Sequence, residues 1–200
     1  MLRIYGDVYS GNCYKIKLLL KQLGRPYEWV HMDVVRKETR TPEFLARNPN
    51  GRIPLLEIDD HTYLAESGAI LHYLAEGSAF LPADHFAHAQ VLQWMFFEQY
   101  SHEPYVATAR YIIRYLGRPA QHAAALQQKM APGYEALDVM EQHLQKHAFF
   151  VGDQYSIADI ALYGYTHVAH EGDFDLSRYP AIRAWIDRVR DLPGYVEMDG

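Results

Sequence analysis

The sequence predicts a two-part chain, an α/β domain followed by an all-helical bundle. Three observations predict it. Over residues 1 to about 76, short apolar strands and helical segments follow the order β-α-β-α-β-β-α. From His85 onward, every periodic segment repeats at helical spacing. Between the two, GSAFLPAD (77–84) is small and turn-rich and holds Pro82, so it reads as a linker. The expected domains are therefore 1–77 and 85–200, each with its own layered packing.

The first strand is LRIY (2–5), and SGN then opens a helix. Ile16, Leu19, Leu20 and Leu23 fall on one face of that helix, and Gly24 and Pro26 stop it. YEWVH (27–31) alternates as a second strand. PEFLAR forms a short helix that ends at the turn cluster NPNG. PLLEI and TYL form a hairpin through Asp59-Asp60, and SGAILHYLAEG makes a helix of about three turns. In the second half, one long helix is expected over 85–116 and another over 119–147, kinked at Pro132 and Gly133. A third helix starts at Ser156, where SIAD matches the capping box, and a fourth starts near Pro180.

Composition narrows the function. The 200 residues are 49% hydrophobic, which fits a folded chain with a real core rather than a disordered one. The formal net charge of -6 comes with scattered basic residues, so no nucleic-acid partner is expected. The 11 histidines form no HExxH pattern, and the single cysteine, Cys13, leaves no cysteine-based metal cage and no internal disulfide. No metal is expected. The amino terminus lacks a signal-peptide core and no apolar run nears the ~18 residues of a membrane span. A cytoplasmic protein without membrane attachment is the expectation.

Three local patterns carry a resemblance. They are S-G-N-C-Y-K after the first strand, N-P-N-G-R-I-P-L-L-E before the third, and E-S-G-A-I-L-H-Y-L at the third helix. In this order, with SIAD in a helical second half, they resemble the cytosolic glutathione transferase superfamily, in its bacterial, serine-type form. The resemblance spans nearly the whole chain. It implies a thioredoxin-like domain that binds glutathione, a helical domain that carries a hydrophobic electrophile, and a homodimer. The implied reaction is attack of the glutathione thiolate on that electrophile, the conjugation used in detoxification. Two alternatives stay open: another glutathione-dependent enzyme (isomerase, dehalogenase, peroxidase or thiol exchange), and a non-catalytic interaction module.

The resemblance also implies site residues, each with a plainer reading beside it. Ser10 is the catalytic candidate. Its hydroxyl would hydrogen-bond the glutathione sulfur, since a free thiol of pKa ~8.5 is only about 3% ionised at pH 7. The plainer reading makes Ser10 a helix cap. Tyr9 and Cys13 are rivals for that role, Tyr5 belongs to the strand, and the Asn12 amide is a possible support for the sulfur. Ile53-Pro54 resembles the family's cis-proline turn, whose Ile53 backbone would pair with the cysteinyl backbone of glutathione. Otherwise Pro54 merely begins an edge strand. Glu66 and Ser67 sit at the amino end of a helix, where an anion is favoured. Ser67 would take the γ-glutamyl carboxylate and Glu66 the neighbouring ammonium; otherwise the pair only caps. Arg52 would hold the glycyl carboxylate, or it is a solvated charge. Other members have histidines where this chain has Gly51 and, nearby, Thr39. The tyrosines of the long helix, Tyr100, Tyr105, Tyr111 and Tyr115, face either the electrophile or the core.

Overall fold

In the computed structural model, which describes residues 1–199, the strand expected at LRIY runs Leu2–Gly6 (β1). It lies inside a four-stranded sheet of order β2-β1-β3-β4. β1 pairs in parallel with β2 (Tyr27–His31), from Leu2↔Tyr27 to Gly6↔His31. Parallel neighbours need a crossover, and α1 (Gly11–Gln22) supplies it. β3 (Leu55–Asp59) runs antiparallel to β1 with Tyr5↔Leu55, and β4 (Thr62–Ala65) runs antiparallel to β3 with Leu55↔Ala65. α2 (Pro42–Arg47) is capped by Thr41 and has proline at its first position, where no N–H is needed. Phe44 of α2 packs with Tyr5 and Leu55, and α3 (Ser67–Ala75) follows β4 directly.

The first compact unit comprises Met1–Glu76 together with the residues from Leu192 on. Side chains of α1 hold that tail. Tyr14 donates its hydroxyl to the Val196 carbonyl at 2.8 Å, and Lys17 donates to the carbonyls of Glu197 and Met198 at 3.1 and 3.0 Å.

The second unit is Gly77–Asp191. The helix expected over 85–116 is interrupted. It comprises α4 (His85–Phe97), a π-helical turn at Glu98–His102, α5 (Glu103–Arg110) and a second π turn at Tyr111–Tyr115. Pro104 explains the first interruption: it lacks an N–H, and its ring crowds the carbonyl four residues back. A wider turn just upstream lets the helical path continue. α6 runs Ala123–Leu144, unbroken through Pro132. Gly133 leaves room for a ring, since a Cβ there would lie 2.4 Å from Phe174. α7 (Ile157–Thr166) begins at the capping box expected from SIAD, and α8 (Pro180–Arg190) begins at Pro180. The core is aromatic: Phe150 packs tilted against Trp94, with ring centroids 4.7 Å apart, and edge-on against Trp185 at 5.2 Å. No helix among the described residues is long and apolar enough to cross a membrane.

Candidate functional site

Register places three chain joints at one end of the sheet. β1 leaves the sheet at Gly6 and reaches α1 through Asp7–Ser10. β3 enters opposite Tyr5 at Leu55, so Ile53-Pro54 lies just beyond that end. β4 leaves opposite Leu55 at Ala65, so Glu66 and Ser67 emerge there as well. Ser10, Ile53, Glu66 and Ser67, which are far apart in sequence, thus share one edge. A hydrogen bond joins two of the joints: Ser67 Oγ donates to Asn12 Oδ1 at 3.1 Å. A longer one, Asn50 Nδ2 to Glu66 Oε1 at 3.4 Å, ties the third.

Ser10 is the N-cap of α1, as the plainer reading expects. Its Oγ accepts from the Cys13 N–H at 3.4 Å, a long cap bond. The connection upstream is pinned by Asp7, whose carboxylate accepts from Tyr9 N at 2.8 Å and whose carbonyl accepts from Ser10 N at 3.1 Å. Ser10 is half-buried and Tyr9 is 43% exposed. Cys13 is fully buried, and burial pushes its thiol up to about 12, against the pull of hydrogen bonds from the Ser10 side chain and the Asp7 backbone. At neutral pH it is an inert thiol rather than a nucleophile. Tyr5 belongs to the strand: it is buried, gives its hydroxyl to Glu57 at 2.7 Å, and burial raises its phenol to about 12.

The Ile53-Pro54 bond is cis. Ile53 is half-buried against the cluster of Tyr5, Phe44 and Leu55. Glu66 precedes α3 with a left-handed φ of 68°, a conformation that costs a non-glycine residue ~1–3 kcal/mol and concentrates at functional sites. Its side chain makes no capping bond, so the first N–H groups of α3 take no acceptor from their cap residue. Ser67 is 5% exposed.

Arg52 is exposed, and its carbonyl accepts from Asn48 Nδ2 at 2.8 Å. A second cation, Arg40, reaches the same loop. Arg40 donates to the Asn50 carbonyl at 3.1 Å, and a Cβ on Gly51 would lie 2.7 Å from its Nη1. Sequence reasoning missed Arg40 because its reach across the turn has no spacing signature. The proximity of glycine to arginine would have needed the fold. Among the described residues, no group of three or more His, Cys, Asp or Glu side chains is arranged to hold a metal ion.

Two family models match the chain. Residues 1–76 match the glutathione S-transferase N-terminal domain, and residues 93–193 match its C-terminal domain. The chain belongs to the glutathione S-transferase family. A crystal structure of a glutathione S-transferase from Pseudomonas fluorescens Pf-5 superposes with a TM-score of 0.97 at 57% identity, covering 98% of each chain. Among curated relatives, the maleylacetoacetate isomerase of Rhizobium meliloti is 32% identical over 92% of this chain and 89% of its own. The disulfide-bond oxidoreductase YfcG of Escherichia coli is 30% identical over 94% of this chain and 91% of its own. The family thus covers transfer, isomerisation and disulfide chemistry on related chains.

Proposed function

We propose that the protein is a glutathione transferase that binds glutathione at the shared edge of the first unit and uses Ser10 to favour the thiolate. The observation that carries the reading is the convergence of the three joints, with Ser10 half-exposed at the amino end of α1 and an uncapped α3 beside it. The Ile53 backbone, at the turn just before β3, receives the cysteinyl portion. The first N–H groups of α3, that of Ser67 included, receive the γ-glutamyl carboxylate, since a helix amino terminus favours an anion. Glu66 pairs with the adjacent ammonium, and Arg52, with Arg40 reaching the same loop, receives the glycyl carboxylate.

At the sulfur, lowering a thiol pKa by ~2 units requires about 2.7 kcal/mol. One charge-assisted hydrogen bond from Ser10 supplies ~1.5–3 kcal/mol and the helix end ~0.3–1 kcal/mol. The cap bond does not use the Ser10 proton, because in it the oxygen is the acceptor. The thiolate then attacks a small hydrophobic electrophile carried by the helical unit. The protein functions as a cytoplasmic homodimer. Supporting the dimer, α4 and the turn after it expose Phe86, Phe96 and Tyr100, which are 71%, 68% and 84% accessible.

A second reading has a specific observation in its favour. YfcG is named a disulfide-bond oxidoreductase; in this reading a glutathione thiolate bound at the same edge attacks one sulfur of a small disulfide, forming a mixed disulfide and releasing the other sulfur as a thiolate. Buried Cys13 plays no part in either reaction. The discriminating experiment is thermal melting with and without millimolar glutathione, then parallel assays with a chromogenic aryl halide and a small disulfide. Glutathione at 100 times its Kd should stabilise the fold by ~2.7 kcal/mol. No shift in melting temperature would remove both readings, and turnover of the disulfide alone would select the second.

A further inference from the structure

The first turn of α1 carries a contact that the proposed sulfur chemistry does not use. Asn12 Oδ1 accepts two hydrogen bonds, from Lys15 Nζ at 2.7 Å and from Ser67 Oγ at 3.1 Å. An ammonium has donors only, so Lys15 dictates which end of the amide faces it. A reversed amide would set donor against donor. With the oxygen thus fixed, and the same oxygen meeting Ser67, the serine must be the donor. Lys15 is 1% exposed and Ser67 5%, so both are held away from bulk water. Asn12 is the second residue of α1 and Ser67 the first of α3, so this amide links two helix starts at the shared edge.

We propose that Asn12, oriented by Lys15, is a positioning residue for Ser67, and through it sets the affinity for the γ-glutamyl end of glutathione rather than the state of the sulfur. The inference rests on the glutathione reading above. The position of Asn12, two residues after Ser10, suggests a role at the sulfur. The direction of its oxygen argues otherwise, because an amide oxygen shared by Lys15 and Ser67 is a fixed acceptor for those two groups. Ser67, which ties α3 to this amide, spends its hydroxyl proton there, so what it offers the proposed carboxylate site is its backbone N–H at the start of α3, which the bond to Asn12 holds in place.

The test is a double-mutant cycle. Glutathione affinity is measured by calorimetry, and turnover by a pH–rate profile, for the parent, Asn12→Ala, Ser67→Ala and the double variant. Asn12→Ala should raise the Kd about fivefold to tenfold while saturating turnover and the pH profile stay put. In the Ser67→Ala background the same change should add less than twofold, since the two sites act as one unit. Asn12→Gln keeps the amide but carries its oxygen one methylene further, and it should fall on the side of alanine. Alanine is well tolerated in a first helical turn, and melting curves confirm the folded state of each variant. An equal effect of Asn12→Ala with and without Ser67 overturns the proposal. So does a Gln variant with parental affinity, or an alkaline shift of the pH profile without loss of affinity. A parent that fails to bind glutathione at all would instead remove the underlying reading.

Discussion

Ser10 and Ser156 cap helices in the two units, yet their surroundings differ at every point. Ser156 is 1% exposed and belongs to a closed network. The Asp159 carboxylate accepts from Ser156 N at 3.0 Å, Phe150 N at 3.2 Å and Trp185 Nε1 at 3.0 Å, and Ser156 Oγ caps Ala158 N at 3.3 Å. Ser10 sits half-exposed with a long cap bond, at the same end of the sheet as the backbone outlier Glu66. The helical unit repeats the closed pattern elsewhere: buried Glu141 accepts from the Ala181 and Ile182 N–H groups at 3.0 and 2.9 Å, capping α8 from α6. A polar group whose bonding capacity is spent internally builds structure. One with capacity left over at a strained edge is available to a ligand.

The contrast breaks most easily at Asp159. Asp159→Ala removes the acceptor for four buried donors, the Ser156 hydroxyl among them, and should cost about 3–5 kcal/mol of stability in denaturant unfolding; a loss below ~1 kcal/mol would show the network to be ornamental. Burial pushes the Asp159 carboxyl up to about 7, against the opposing pull of its hydrogen-bond donors, Trp185 first. The folded chain therefore keeps a proton that the unfolded chain, with a carboxyl near 3.9, gives up. Its contribution to stability is full below pH ~4 and is lost as pH rises through about 7. Asp159→Asn should flatten that part of the stability curve.

Ser10→Ala should act in the opposite way. A lost hydrogen bond of ~1.5–3 kcal/mol predicts a rate about tenfold to a hundredfold lower, with the pH–rate profile moved alkaline by one unit or more. The loss of stability should stay below about 1 kcal/mol, since the cap bond is long. Unchanged turnover would reduce Ser10 to a second Ser156. Smaller still, Glu66→Ala should weaken glutathione binding by about threefold to tenfold through loss of an exposed charge partner, measured by calorimetry. The smallest effect belongs to Cys13. Cys13→Ala should leave the pH–rate profile in place, and the parent thiol should resist alkylation at pH 7 in the folded state.

Local chemistry made much of this legible in advance. YEWVH and PEFLAR are strand and helix over the residues their alternation and N-terminal proline indicate, and SIAD closes as a capping box because both of its partners lie within one turn. The joints bearing Ser10, Ile53, Glu66 and Ser67 are singled out in the sequence by the family resemblance of their motifs, and register then brings them to one edge. What escaped the sequence acts over distance or through single-residue shifts of register. The π turns around α5 leave the apolar spacing of their neighbours intact, so periodicity reads straight across them. The cap that Glu141 gives α8 spans 40 residues, and Arg40 reaches Asn50 across a turn. The return of the tail to α1 uses backbone carbonyls, which every sequence has.

That tail makes the first unit discontinuous, with consequences for the order in which the protein is built. Synthesis proceeds from the amino terminus at roughly 5–20 residues per second, and domains tend to fold as they emerge. Here the sheet and its helices are complete by Glu76, but the acceptors for Tyr14 and Lys17 are made only with Val196, Glu197 and Met198. A ribosome must translate the whole helical unit before α1 receives its last partners. For several seconds the nascent first unit lacks the three tail carbonyls that α1 binds in the finished chain. Truncation after Asp191 would preserve every strand and helix, yet it would hold the first unit permanently in that unfinished state.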